Sequence, residues 1–161
     1  MPRSWLELRP FLDTDAEFFA ALASDQRVVR FIGYGQPWSQ LEIDSCVEAA
    51  LHHENLEHIG ASRWFVATEA DHRVGVVFST RQDSSVEIGY WVSPEHWGRG
   101  IGGSMLDRAL AITAELFGVA TFSAGVAAGN TVSAHLLTTR GFVLESSSDE
   151  LEQYVLNLPA R

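Results

Sequence analysis

Apolar and polar residues follow two different periods along this chain. They alternate over residues 6–9, which predicts a first strand ended by Pro10. Three further runs, separated by Asp-His and Asp-Ser-Ser turns, predict strands at residues 63–68, 74–80 and 86–92. Residues 119–125 predict another strand, and residues 142–145 and 151–156 predict a closing hairpin.

In the segments between these strands, the apolar residues recur with the spacing of a helix. Asp13 or Thr14 is expected to cap a helix that runs to about residue 23, and a short helix is predicted over residues 26–32. Ser39 is expected to cap a longer helix to about residue 55. Residues 100–117 and 131–140 predict two more helices, the second stopped by Gly141. The apolar stripe of the helix at 100–117 comprises Ile101, Met105, Ala109, Ile112 and Leu116.

The order of these elements predicts the fold class. One strand is followed by helices, three strands, a helix, a strand, a helix and two strands. A regular parallel βαβ winding would need strands and helices to alternate throughout, so we expect a mixed α/β sheet instead. The length of 161 residues is typical of one domain, which we expect to span residues 1–161.

Composition and charge exclude or disfavour several classes of function. Apolar residues make up 46% of the chain, enough for a buried core, but no apolar run is long enough to span a bilayer. The net charge of −10 disfavours nucleic acid as a partner and favours a cationic one, although acidity also serves solubility alone. The single cysteine, Cys46, excludes an internal disulfide and a cysteine-based zinc site. Residues 1–5 do not resemble a signal peptide, so we expect a cytoplasmic protein with no membrane partner.

The most informative segment runs from Trp97 to Ser104 and holds four glycines within six residues. It follows a predicted strand and opens a predicted helix, so that backbone N–H groups and the helix dipole meet at one point. Glycines let a ligand approach the backbone, and Arg99 can add a charged hydrogen bond. The segment therefore predicts a phosphate or pyrophosphate site, since a purely structural turn needs only one or two glycines.

Two nucleotide-binding alternatives fail on other residues. Gly98, Gly100 and Gly103 match the Gly-x-Gly-x-x-Gly fingerprint of dinucleotide-binding folds, but that fingerprint needs an acidic residue about 20 positions later. No Asp or Glu lies between Glu115 and Glu145, and the turn follows the fourth predicted strand instead of the first. The Gly-Lys-Ser/Thr sequence of a P-loop is missing as well.

The stretch from Glu87 to Gly102, EIGYWVSPEHWGRGIG, resembles the GNAT superfamily of N-acetyltransferases. The pyrophosphate turn of that family reads Gln/Arg-x-x-Gly-x-Gly/Ala and follows a strand. Trp97 stands where many members carry Gln or Arg, and in this the chain is similar to the subgroup of ribosomal-protein N-terminal acetyltransferases (RimJ/RimL-like). Residues 130–142, NTVSAHLLTTRGF, resemble a later Asn-x-x-Ser/Ala…Gly-Phe motif of the family. The resemblance covers nearly the whole chain.

The resemblance implies a fold, a co-substrate and a reaction. The fold would be a mixed, mostly antiparallel sheet, splayed at its centre and flanked by helices. Acetyl-coenzyme A would donate an acetyl group to a primary amine, either a protein N-terminus or a small molecule, without a metal. We expect a monomer or a homodimer. The expected cofactor contacts are Val92, Trp97, Gly98, Arg99, Gly100, Gly102, Gly103, Ser104 and Asn130.

Catalytic roles on the strand before the turn also follow from the resemblance. Glu87 corresponds to a carboxylate that often accepts the amine proton, and we expect it to be partly buried beside Trp91. A solvated strand glutamate is an equal alternative. The family polarises the thioester carbonyl with a backbone N–H that a bulge frees, and Gly89 is compatible with a bulge. By position, the donor is expected to be the N–H of Trp91 or Val92.

The sequence gives weaker signals for the proton donor to the leaving thiolate and for the residues that line the amine site. The thiolate proton often comes from a tyrosine seven residues after the motif asparagine, where this chain has Leu137. Ser133 is the nearest replacement, and a small residue packed on the cofactor is its alternative role. Phe31 and Trp38, with Tyr34 between them, are expected to line the amine site. A module that binds acyl-coenzyme A without turnover is the competing hypothesis.

Overall fold

The computed structural model describes residues 6–32 and 35–159. Within them lie seven strands: β1 Leu6–Pro10, β2 Ser62–Glu69, β3 His72–Arg81, β4 Val86–Val92, β5 Thr121–Ala127, β6 Val143–Ser147 and β7 Leu151–Asn157. The α-helices of this part of the chain are α1 Ala16–Ala23, α2 Gln26–Val29, α3 Gln40–Leu51, α4 Ile101–Phe117 and α5 Thr131–Thr138. None of these helices is long and apolar enough to cross a membrane.

The strands form one sheet in the order β1-β2-β3-β4-β5-β7-β6. Every neighbouring pair is antiparallel except β4 and β5, which run parallel. The parallel pair lies at the centre, where the chain crosses from β4 through α4 to β5. The prediction of a mixed, mostly antiparallel sheet flanked by helices is therefore confirmed.

Two apolar clusters fill the two faces of the sheet. The larger one lies between the sheet and α4, and Met105 and Leu106 are fully buried in it. The smaller one lies on the opposite face under α1 and α3, around Phe19 and Ile43. Because strand side chains alternate between faces, β2, β3 and β4 contribute to both clusters. β4 thus has α4 on one side and an aromatic cluster on the other.

The buried stripe of α4 differs from the predicted one. Ile101, Met105 and Ala109 are buried as predicted, but the stripe continues through Thr113 and Phe117. Leu116 is exposed. The predicted Ile112 is half-buried against the same cluster, since positions three and four apart share a helix face, so Leu116 is the predicted stripe residue that is wrong.

Several predicted boundaries shift for local reasons. Ser39 caps α3 as predicted, because its hydroxyl accepts the N–H of Glu42 at 3.2 Å. The helix ends at Leu51 instead of residue 55, since residues 52–55 are exposed and further turns would bury nothing. Similarly, α2 ends at Val29. Pro10 still belongs to β1, which is an edge strand and needs no N–H from it.

A buried carboxylate ties the first helix to the sheet. Asp15 is fully buried and accepts hydrogen bonds from Arg9 on β1 and Arg73 on β3, at 2.7–2.8 Å. Its Oδ2 also accepts the Leu12 N–H at 2.8 Å. Burial alone would raise the pKa of Asp15, but these hydrogen bonds outweigh it and lower the pKa to about 2. The carboxylate therefore anchors the start of α1.

Candidate active site

The glycine turn opens α4 as the sequence predicts. Gly98 and Gly100 adopt left-handed backbone with φ of 77° and 75°, which side chains rarely tolerate. Gly100 caps the helix without a side chain, and a Cβ added at either glycine would meet nothing within 4 Å. The backbone at Gly98 and Gly100 is therefore open beside the first turn of the helix. That geometry suits a phosphate group.

The remaining two glycines of the turn serve the packing between α4 and α5. A Cβ at Gly102 would lie 3.3 Å from Leu136, and one at Gly103 would overlap the Arg140 guanidinium. Arg140 is itself held by Asp107, whose Oδ1 lies 2.8 Å from its Nε. Gly102 and Gly103 thus let α5 approach the first turn of α4 closely. Their amides remain available to a ligand, although their lack of side chains is explained by packing.

Other residues predicted to contact the ligand at this turn form hydrogen bonds or ion pairs within the protein. The indole Nε1 of Trp97 donates to the Val92 carbonyl at 2.8 Å, which fixes the turn on the end of β4. Arg99 contacts Glu69 at 2.7 Å, so its charge is shared with that carboxylate. The backbone N–H of Ser104 donates to the Gly100 carbonyl at 3.2 Å. Consequently the free amides of this helix end belong to residues 101–103.

The sheet splays open between β4 and β5. The two strands pair only through Val86 with Phe122 and Glu87 with Ser123. Beyond these pairs β4 continues to Val92 and β5 to Ala127 without pairing to each other. The gap that forms widens toward the glycine turn, because the turn follows the free end of β4. The expected splay is therefore present.

The pairing of β4 with β3 decides which amides face this gap. The Ser93 N–H donates to the Val74 carbonyl of β3 at 2.8 Å. Hydrogen-bonded residues alternate along an antiparallel ladder, so the Trp91 N–H also points to β3. The N–H groups of Tyr90 and Val92 point to the gap instead. Of the two donors expected from the sequence, only Val92 has the right direction.

The expected bulge at Gly89 is not found. β4 pairs with β3 in continuous register from Val86 to Val92. In the described sheet, the register shifts lie in the β2–β3 pairing, between Ala67 and Thr68, and in the β6–β7 pairing, between Leu144 and Ser146. The gap therefore arises from the divergence of β5, not from a distortion of β4.

Trp91 belongs to an aromatic cluster on the face of β4 opposite α4. Its ring stacks on Phe19 of α1, with 5.4 Å between centroids and 5° between planes. Phe78 and Trp38 meet it edge-on at 5.0 and 5.3 Å. Trp38 thus packs against the strand that carries Glu87. The aromatic cluster forms a rigid floor on this face.

Glu87 lies on the same face of β4 and lines a cleft of about 270 Å³. The other lining residues are Phe78, Thr80, Ile88, Gly89 and Gly125. Glu87 is exposed, contrary to the expectation of partial burial, because Trp91, four residues further along the strand, packs into the aromatic cluster. The carboxylate therefore reaches the cleft from its solvent side.

Asn130 and Ser133 form the start of α5. The Asn130 Oδ1 accepts the Ser133 N–H at 3.3 Å, which makes Asn130 the N-cap. Its Nδ2 donates to the Ser133 hydroxyl at 3.2 Å. Leu137, one turn further, is buried in the core. The side-chain amide of Asn130 is thus used within its own helix.

Phe31 lines a second cleft, of about 370 Å³, beyond the end of β5. The Arg30 guanidinium lies 5.0 Å from the centre of its ring. Asp149 and Glu150 line the same cleft, between β6 and β7. Phe31 and Trp38 therefore occupy different places, one at the cleft and one in the aromatic cluster. Tyr34 lies outside the described residues.

Sequence reasoning missed one polar group of this site, the hydroxyl of Tyr90. Its oxygen is buried and has no hydrogen-bond partner. Its ring lies over the first turn of α4, 3.5 Å from the position of a Cβ on Gly102. The signal was present in the alternation of β4, because Tyr90 falls on the face opposite Glu87, between the apolar residues Ile88 and Val92.

The described residues include no group of three or more His, Cys, Asp or Glu side chains arranged to hold a metal ion. By contrast, three observations fit an extended phosphate-bearing thioester. These are the open cradle at Gly98 and Gly100, the unpaired edge of β4 and the unpartnered Tyr90 hydroxyl.

Comparison with known proteins agrees with this geometry. Residues 6–143 match the family model for the acetyltransferase (GNAT) domain. The chain is 28% identical over 156 residues to YoaA, an uncharacterised N-acetyltransferase of Bacillus subtilis (strain 168). That match covers 93% of this chain and 84% of YoaA.

Two solved structures have a similar fold. The spermidine N-acetyltransferase from Vibrio cholerae, in complex with CoA and spermine, has a TM-score of 0.80 and 21% identity over 96% of each chain. RimL, a ribosomal L7/L12 α-N-protein acetyltransferase in complex with coenzyme A, has a TM-score of 0.78 and 17% identity. That match covers 96% of this chain and 95% of RimL.

Proposed function

Since the chain belongs to the GNAT family of acetyltransferases, we propose that it transfers an acetyl group from acetyl-coenzyme A to a primary amine by direct attack on the thioester. The observation that carries this proposal is the continuity of the glycine turn with the gap between β4 and β5. One extended ligand can use both. Phosphate suits the free helix amides, and an amide-bearing arm suits the unpaired strand edge.

The cofactor contacts divide between the turn and the strand. The amides of residues 101–103 hold the pyrophosphate, over the open cradle at Gly98 and Gly100. Trp97 keeps the turn against β4 through its bond to the Val92 carbonyl. Acetyl-coenzyme A supplies the activated acetyl group, and the protein supplies its position. The side chains of Asn130 and Arg99 support this surface from within the protein.

The thioester carbonyl needs a donor where negative charge develops during attack. The Val92 N–H meets this need, because it points into the gap and is not used by the ladder with β3. A rigid backbone donor of this kind needs no reorganisation during the reaction. The aromatic cluster around Trp91 holds the same strand from the opposite face.

The amine approaches through the cleft at Glu87. A primary amine is mostly protonated at pH 7, with a pKa of about 8 for an α-amine and about 10.4 for a lysine amine. Glu87 attracts this ammonium ion and accepts its proton, either directly or through water. The neutral nitrogen then attacks the thioester carbon. The aromatic floor beneath the cleft favours an acceptor with an extended aliphatic or peptide chain.

Charge supports an acceptor with additional cationic groups. Asp149 and Glu150 line the second cleft, and the chain as a whole has a net charge of −10. One structural neighbour is a spermidine N-acetyltransferase and another is a protein α-N-acetyltransferase. We therefore propose polyamines and basic peptide N-termini as the first acceptors to test.

A screen for thiol release tests the proposed function. The chain is mixed with acetyl-coenzyme A and polyamines, peptides with free N-termini or N-acetylated control peptides, and the acetylated product is identified by mass spectrometry. We expect release with at least one free amine and none with the blocked peptides. Tight coenzyme A binding by calorimetry, with no release for any amine, would favour the alternative of a non-catalytic binding module.

Substitution of Glu87 tests its role as proton acceptor. Glu87→Gln keeps the shape of the side chain, and we expect kcat/KM to fall by about 10²-fold, the usual value of a positioned base. The loss should shrink at high pH, where more of the amine is neutral. Glu145→Gln on the exposed strand β6 is the matched control and should leave kcat/KM unchanged. Wild-type rates for Glu87→Gln at every pH would assign the proton to water or to another residue.

A further inference from the structure

Two buried side-chain nitrogen or oxygen atoms of the described residues have no hydrogen-bond partner, the Arg81 Nε and the Tyr90 hydroxyl oxygen. Arg81 still serves the fold, because its Nη1 donates to the Phe117 carbonyl at the end of α4. The Tyr90 hydroxyl has no such bond. A buried hydroxyl without a partner destabilises the folded state, so its presence on β4 calls for a ligand that pairs with it.

Tyr90 lies where the proposed thioester must pass. Its backbone N–H points into the gap between β4 and β5, two residues before Val92. Its ring covers the first turn of α4, and its hydroxyl lies toward Ser133 at the start of α5. Tyr90 is three residues from Glu87 along the strand, or about 10 Å at the rise of a strand. Along β4, Tyr90 therefore lies between Glu87 and the phosphate turn, and its ring is on the α4 face, opposite Glu87.

Hydrogen bonds on α5 fix the direction in which Tyr90 can donate. The Asn130 Oδ1 accepts the Ser133 N–H, so the Asn130 Nδ2 must be the donor to the Ser133 hydroxyl. The Ser133 proton is then free to point toward the Tyr90 oxygen. The Ser133 hydroxyl is near enough to the Tyr90 phenol to lower its pKa, whereas the Tyr90 oxygen itself has no hydrogen bond in the structure. This order leaves the Tyr90 proton free for a group outside the protein.

The surroundings keep Tyr90 protonated. Burial raises the pKa of its phenol, whereas the nearby Ser133 hydroxyl and the Arg140 charge act in the opposite direction with smaller effect. The Arg140 charge is partly offset by Asp107, which it contacts at 2.8 Å. Leu137, at the position of the family's usual tyrosine, has no proton to give. Tyr90 is therefore a neutral hydrogen-bond donor, and the Ser133 hydroxyl of α5 can donate to its oxygen.

We propose that the Tyr90 hydroxyl donates the proton that the thiolate of coenzyme A takes up as it leaves. This inference rests on the proposed function. A bond forms between the amine nitrogen and the acetyl carbon, the carbon–sulfur bond breaks, and its electron pair stays on sulfur. The phenol proton moves to sulfur, and the phenolate regains a proton from solvent through Ser133. Starting from the ammonium ion, the nitrogen loses one proton to Glu87 before it attacks and a second to solvent as the amide forms, so one proton is released overall for each acetyl group transferred.

The alternation of β4 separates the two proton transfers. Glu87 lies on the face of the aromatic cluster, where the amine enters, and Tyr90 lies on the face of α4 and α5. The thioester sits at the strand edge between them, against the Val92 N–H. Incoming amine and departing thiol therefore meet different faces of one strand, and neither group competes for the other's site.

Tyr90→Phe tests the proposal, because it removes the hydroxyl and keeps the ring. The matched control is Tyr154→Phe, since the Tyr154 hydroxyl already contacts Glu152 at 3.1 Å. Each variant is assayed for kcat with the best amine and for the pKa of the thiol of bound coenzyme A, followed by thiolate absorbance. The affinity for desulfo-coenzyme A, which lacks the sulfur, shows whether the cofactor site is intact.

For Tyr90→Phe we expect kcat to fall by about 10²-fold. The bound thiol should become less acidic by about one to two pKa units, the value of a hydrogen bond to a charged group. Desulfo-coenzyme A affinity and the melting temperature should not fall, and Tyr154→Phe should match the wild type. An unchanged thiol pKa in Tyr90→Phe would overturn the proposal. The thiol titration needs no amine, so it decides on Tyr90 even if no acceptor is turned over.

Discussion

Replacing Asp15 with Asn removes the charge that holds the first helix to the sheet. The carboxylate is fully buried, and it accepts hydrogen bonds from the side chains of Arg9 and Arg73. Asn has nearly the same shape and can still accept the Leu12 N–H. The substitution therefore isolates the charge from the packing. It also leaves two guanidinium groups without their counter-ion.

The pKa of Asp15 gives the size of the expected effect. A fall from the ordinary value of 3.8 to about 2 means that the folded state favours the ionised carboxylate. At about 1.4 kcal/mol per pKa unit, this corresponds to about 2 kcal/mol of stability at pH 7. For a chain of this length, such a loss lowers the melting temperature by about 4–8 °C.

The pH dependence follows from the direction of the shift. Because the folded pKa lies below the unfolded one, the stabilisation is complete above about pH 4 and is lost as the pH falls through about 2. Wild type and Asp15→Asn should therefore differ by a constant free energy of unfolding from pH 7 to about 4.5. The difference should shrink below that, as the wild-type carboxyl becomes protonated.

Urea unfolding of both proteins between pH 3 and 7 measures this difference. Asp25→Asn is the matched control, because Asp25 also accepts from an arginine, Arg27, but that pair is exposed. We expect a clearly smaller effect at Asp25. A stability loss for Asp15→Asn that is below about 0.5 kcal/mol, or one that does not change with pH, would refute the assignment of Asp15 as a charged anchor.

Two further substitutions test the surroundings of β4. Gly75→Ala should destabilise the protein by about 1–3 kcal/mol, because its Cβ would lie 2.5 Å from the Trp91 carbonyl oxygen; thermal unfolding that matches the wild type would contradict this. Trp97→Phe keeps the ring but removes the bond to the Val92 carbonyl, so coenzyme A should bind several-fold more weakly at unchanged melting temperature, as calorimetry can show. Equal affinity in both proteins would mean that the indole N–H does not position the turn.

The elements that the sequence predicted well are those that local chemistry determines. The strand before the turn, the Ser39 cap and the glycines that start α4 each depend on residues within one or two turns of chain. The same holds for the N-cap at Asn130. A splayed centre followed from the family resemblance, and the pairing of β4 with β5 confirms it. Glu87 was placed on the correct face by simple alternation.

Features that depend on distant contacts were not predictable. The sequence offered Trp91 and Val92 equally as N–H donors, and the choice depends on the register with β3, which alternation within β4 does not reveal. Gly102 and Gly103 looked like parts of one ligand loop, yet their neighbours include Leu136 of α5 and Arg140 in the turn that follows it. Such roles depend on how one helix packs on another, which a single local motif does not reveal.

The anchor at Asp15 and the site on β4 are connected through α1. Asp15 fixes the start of this helix, and Phe19, one turn later, stacks on Trp91. Trp91 cannot shift without moving Tyr90 and Val92, its neighbours along the strand, because β4 pairs continuously with β3. The aromatic cluster therefore fixes the direction of the Val92 N–H and the position of the Tyr90 ring. In the proposed mechanism, the packed aromatic rings therefore hold the strand that carries the backbone donor.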